Sequence, residues 1–104
     1  MVDALDILIA ARAKIADPKD WGKGSRGYND RYKGRSPSSY CAAEAIEECI
    51  PWTEARKHAF HAFNNAAGVE DKFGKIVDWN DAPERTHSEV LATFDLAIAT
   101  LRLS

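Results

Sequence analysis

The sequence predicts a small all-α domain: one bundle of four to five helices, with a long basic loop, able to form a short hairpin, between the first helix and the second. Three observations predict it. Apolar residues recur at three- and four-residue spacing over most of the chain. Aspartate, serine or threonine stands just before most such runs, and proline or glycine stands where most of them stop. With 104 residues, 45% of them apolar and 29% charged, the chain has the size and composition of a single globular domain spanning 1–104.

Helix one is expected over about residues 3–16. Asp3 caps it, Leu5, Leu8, Ile9 and Ile15 follow the helical rhythm with Arg12 at the edge of that face, and Asp17-Pro18 ends it. The next segment, KDWGKGSRGYNDRYKGRSPSS, contains four glycines and an Asn-Asp pair that interrupt any helical period. It reads as a loop, with Asn29-Asp30 as the turn of a short hairpin. Ser36 then serves as N-cap and Pro37 as the first position of helix two, whose small apolar face is Cys41, Ala42, Ala45, Ile46, Cys49 and Ile50. Pro51 ends that helix near Cys49.

Thr53 caps a third helix with Ala55, Ala59, Ala62, Phe63 and Ala66 inward and Gly68 at its stop. Phe73, Ile76 and Val77 mark a short helix within Val69–Trp79. Asn80, Asp81 and Pro83 read as a turn leading to the last helix. There Thr86 and Glu89 form a capping box, and Val90, Leu91, Phe94, Ala97, Ile98 and Leu101 form the buried stripe. The first and last helices are expected to pack together. Alanine-rich faces on the middle helices allow close approach, within the chain or between copies.

Cys41 and Cys49, eight residues apart on one predicted helix, would lie about 12 Å apart, beyond the ~7 Å reach of a disulfide. They read as free thiols. No apolar run approaches the ~18 residues of a membrane span. The early residues carry two aspartates and no basic n-region, so a cytoplasmic protein without a membrane partner is expected.

The stretch DWNDAPERTHSEV, residues 78–90, poses the question of chemistry most sharply. Asp78, Asn80 and Glu89 match positions 1, 3 and 12 of a calcium loop, but Ala82 lacks a ligand oxygen and Pro83 stands where the loop needs glycine. A hydrolase or metal protein would use Asp78, Asn80, Asp81 and His87, with His87 as base, or His58 and His61 with Glu54 as metal ligands. A turn and a helix start account for the same residues without chemistry, and no cofactor motif is present.

Ile76-Val77-Asp78-Trp79-Asn80-Asp81, Arg85-Thr86 and Glu89-Val90-Leu91 resemble a small bacterial and phage domain family of unknown function with the signature W-N-D-x-x-x-R-T-x-x-E-V. Asp17-Pro18, Trp21-x-x-Gly24 and Tyr40-Cys41-Ala42 are further landmarks, so the resemblance spans most of the chain. Glu84 replaces a usual glycine, and Glu44 interrupts a small-residue stretch. The resemblance implies the domain boundaries and no activity.

Lys19, Lys23, Arg26, Arg31, Lys33 and Arg35 face only Asp20 and Asp30 over residues 19–35, leaving +4 there in a chain of net −2. Interleaved with Tyr28 and Tyr32, these cations suit a macromolecular contact. The favoured expectation is a non-enzymatic interaction module that binds a protein partner through Lys23, Arg26, Tyr28, Arg31, Tyr32, Lys33 and Arg35. Size and charge suggest, by analogy, a phage-type inhibitor of a host system. The same group could bind single-stranded nucleic acid. The acidic remainder, including Glu44, Glu47, Glu48, Glu70 and Asp71, would offer a negative face to a basic partner.

Overall fold

Asp3 accepts a hydrogen bond from the Asp6 N–H at 2.9 Å, and Asp6 accepts one in return from the Asp3 N–H at 3.4 Å, a capping box that starts α1 at Ala4–Lys14. The computed structural model describes residues 2–24, 26–48 and 53–103, apart from the side chains of Arg26 and Phe73. Along it follow a 3₁₀ turn (Pro18–Asp20) and α2 (Arg26–Tyr32), α3 (Ala42–Glu48), α4 (Glu54–Ala67), α5 (Phe73–Asp81) and α6 (His87–Leu103). The described residues form helices and an isolated bridge between Trp21 and Tyr40, with no strand. The fold is all-α, as expected, with six α-helices among the described residues rather than four to five. The radius of gyration of 12.7 Å matches the ~13 Å of a compact chain of this length.

Helices α1, α4 and α6 pack on one another, and α3 lies against α1 and α4 with α5 beside it. The core is Phe63, Phe94, Ile7, Leu8, Ile15, Ile46, Ile76 and Val90, all fully buried. Phe63 lies 4.6 Å from Phe94 and meets Trp79 edge-on at 5.5 Å, ring centroid to centroid. Each large apolar side chain buried in this way stabilises the fold by about 1.5–3 kcal/mol. The α1 face is rotated from the expected one: Ala4, Ile7, Leu8, Ala11 and Ile15 point inward, and Ile9 is exposed. Neighbours on both sides set the angle, which periodicity over so short a helix does not.

Several expected boundaries hold. The Thr53 hydroxyl accepts from the Arg56 N–H at 3.2 Å, and Gly68 ends α4 at φ +73°, a left-handed conformation suited to glycine. The Thr86 hydroxyl accepts from the Glu89 N–H at 3.2 Å, and the Glu89 carboxylate accepts from the Thr86 N–H at 3.1 Å. Thr86→Ala should cost about 1 kcal/mol, read as a fall of roughly 5 °C in melting temperature. An unchanged melting temperature would rule out the cap.

Bonds from Thr86, hydroxyl before backbone N–H, hold the Glu89 carboxyl below its ordinary 4.5. On acidification the unfolded chain therefore takes up this proton first, so stability is full above about pH 5 and is lost as pH falls through the lowered folded value. Glu89→Gln should flatten that part of the melting temperature against pH curve.

Three expected features differ. Asn29 and Asp30 lie inside α2, not at a hairpin tip. Ser36-Pro37 does not start a helix: α3 begins at Ala42, where the Glu44 carboxylate reaches back to the Cys41 N–H at 3.0 Å. Asn80 and Asp81 close α5 instead of forming the turn, which Ala82 and Arg85 make through an N–H to carbonyl bond of 2.9 Å. The expected end of helix two at Cys49 and Pro51 lies outside the described residues.

Candidate functional site

Ile76 and Asn80 are four residues apart on one face of α5, and both are fully buried. A buried amide must satisfy two acceptor and two donor positions, and Asn80 does so by joining three parts of the chain. Its Oδ1 accepts from the Trp21 indole N–H at 2.7 Å and from the Ala42 N–H, at the start of α3, at 3.0 Å. Its Nδ2 donates to the Gly22 carbonyl at 3.1 Å and to the Asp81 carboxylate at 3.0 Å.

The neighbouring motif residues extend this junction. His87 Nε2–H donates to the Ile15 carbonyl at 2.6 Å, at the C-terminus of α1, and its ring lies 5.9 Å from Trp21. Arg85 lies 4.2 Å over the Trp79 ring and donates to the Trp79 carbonyl at 3.0 Å and to Glu89 at 3.1 Å. Lys23 Nζ donates to the carbonyls of Ala82 at 2.7 Å and Pro83 at 3.1 Å, just past α5, where a cation meets the negative end of the helix. Asp78 is exposed. Of the expected acid-base group, Asn80 and His87 meet at Trp21, but both are bonded to backbone at helix ends; Asp78 points away.

Of the seven residues expected to contact a partner, two are bonded to α3: the Tyr28 N–H donates to Glu44 at 2.6 Å, the Tyr28 hydroxyl donates to Glu47, and Arg31 pairs with Glu48. Burial and then the Glu47 bond push the Tyr28 hydroxyl pKa up. Glu44, expected on an acidic surface, is instead fully buried, because its two oxygens hold backbone N–H groups of two segments. Tyr32 at the end of α2 and Lys33 and Arg35 in the following turn are all exposed, with Tyr32 at 93%. Lys23 belongs to the junction, and Arg26 opens α2.

His58, His61, Glu54, Lys57 and Asp71 line a cleft of about 230 Å³. His61 Nδ1 is 2.8 Å from Asp71, which also accepts from Asn64 at 3.1 Å. These bonds, His61 first, hold the Asp71 carboxyl below its ordinary 3.8, adding to the acid sensitivity set by Glu89. Among the described residues no three His, Cys, Asp or Glu side chains are grouped to hold a metal ion. Burial pushes the Cys41 thiol up to about 12, so it stays protonated at neutral pH. Cys49 lies outside the described residues. No helix among the described residues is long and apolar enough to cross a membrane.

The profile of the family of unknown function DUF6197 matches residues 1–100. The chain belongs to DUF6197. No curated protein and no solved structure matches it. The DUF6197 match spans both the Asn80 junction and α2, so the two arrangements lie inside the family's domain.

Proposed function

We propose that this DUF6197 domain is a non-enzymatic interaction module that binds a protein partner through the C-terminal end of α2 and the turn after it. The exposure of Tyr32 carries the reading. An aromatic side chain 93% open to solvent beside exposed Lys33 and Arg35 is well suited to a contact, since tyrosine and arginine dominate binding hot spots. Tyr28 and Arg31 are bonded to Glu44, Glu47 and Glu48, so α2 meets a partner already ordered and loses little entropy on binding. The positive turn favours an acidic partner surface. Support for a non-enzymatic role comes from the junction, where Asn80, His87, Lys23 and Arg85 are engaged in joining helices.

Capture from cell lysate tests this reading with the wild type against a Tyr32→Ala, Lys33→Ser, Arg35→Ser variant. Because these side chains are exposed, the variant should melt with the wild type. A protein retained by the wild type and lost from the variant is the expected result; identical capture by both would exclude α2 as the contact. The same pair, titrated with a labelled single-stranded oligonucleotide across a salt series, separates the partner classes. Binding that weakens with salt and is lost in the variant would assign Tyr32, Lys33 and Arg35 to nucleic acid instead.

A further inference from the structure

Other helices build a second surface, independent of α2. In a chain 29% charged, residues 62–69 at the end of α4 and 96–101 on α6 contain no charged residue. The two helices leave a groove of about 390 Å³ between Ala62, Asn65 and Ala66 on one wall and Leu96, Thr100 and Leu101 on the other, with His58 and His61 toward one end. Ala62 and Ala66, four apart, are too small to fill it. Leu96 stands on the rim, 54% exposed.

We propose that a second copy of this chain covers the groove, in a two-fold dimer in which Leu96 of each protomer enters the groove of the other. A two-fold interface brings a surface against itself, so it must carry both a projection and the hollow that receives it. This face carries both, side by side. Self-contact also places like charges opposite one another, which an uncharged patch avoids and a patch of either sign does not. The nearest acidic neighbour on α6, Asp95, is already paired within the chain to Arg12 at 2.6 Å. Half of the lining is aliphatic, Ala62, Ala66, Leu96 and Leu101, and an interface centre poor in charge is the composition that association favours.

Sedimentation equilibrium from ~10 to ~500 μM tests the dimer. The wild type should approach twice the 11.5 kDa chain mass as concentration rises. Leu96→Asp, which sets like charges across the axis, and Ala66→Leu, which fills the hollow without adding charge, should each weaken association at least tenfold. Lys19→Asp, a change in the 3₁₀ turn at a side chain 75% exposed and outside the groove lining, should leave association intact. Melting curves of dilute samples confirm that each variant is folded, and either groove variant suffices if the other is not. A wild type that stays monomeric throughout, or a dimer that a folded groove variant does not weaken, overturns the proposal.

Discussion

Asn80→Ala should reduce the folding stability by about 4 kcal/mol, a large share of what holds a domain of this size folded. The substitution takes the acceptor from the Trp21 indole N–H and the Ala42 N–H, and the donor from the Gly22 carbonyl. A buried group left unpaired costs about 1–3 kcal/mol, and a chain of this length has only about 5–15 kcal/mol in total. Urea denaturation followed by circular dichroism measures the loss. Asn80→Asp refines it: the acceptor stays, the donor to Gly22 is lost, and a second carboxylate meets Asp81, so it too should be strongly destabilising. A loss under about 1 kcal/mol for the alanine variant would mean that the junction contributes little.

Gly27→Ala should destabilise by about 3 kcal/mol, against the sign that helix propensity gives. Alanine in place of glycine inside a helix ordinarily stabilises by about 0.5–1 kcal/mol. Here an added Cβ would lie 2.3 Å from Glu44 Oε2, 3.1 Å from its Cδ and 3.2 Å from the Ser39 carbonyl oxygen. Glu44 cannot give way cheaply, since it is fully buried and bonded to the Tyr28 and Cys41 N–H groups. Overpacking of this kind typically costs about 1–3 kcal/mol, and tearing a buried carboxylate from its donors adds to it. Glu44→Ala alone should also destabilise, by leaving those donors unpaired. In that shortened background Gly27→Ala should lose most of its penalty, a coupling that a double-mutant cycle reads directly. Additive effects would break the link between the two positions.

Local signals in the sequence were sufficient for the all-α class and for the caps at Asp3, Thr53, Gly68 and Thr86, because a cap is a short-range bond between residues two to four apart. The α6 stripe was legible for the same reason. What escaped are residues whose partners lie far along the chain. Asn80 looked like a turn residue, as asparagine often is, although its place four residues after Ile76 on a buried face was a readable sign that it needed internal partners. Glu44 looked like one acid among many, and Gly27 like one more loop glycine; each makes sense only when α2 and α3 are side by side. Helix α2 was hidden because its sequence, RGYNDRY, has poor helical propensity and no apolar stripe, and the carboxylates of α3 hold it instead. Of the seven expected contact residues, the sequence did not show which are bonded to α3 and which stand open to water.

The Asn80 junction also orders events in time. Its bonds join residues 21 and 80, 22 and 80, and 42 and 80, and His87 reaches back 72 positions to Ile15. A ribosome delivers the chain from its N-terminus, so α1 and the loop emerge well before the side chains that close them. Contacts so distant in sequence form late, after loop-closure entropy has been overcome. Until Asn80 is free of the exit tunnel, Trp21 and the start of α3 remain unclosed, and the nascent domain depends on its surroundings to keep its apolar surfaces apart.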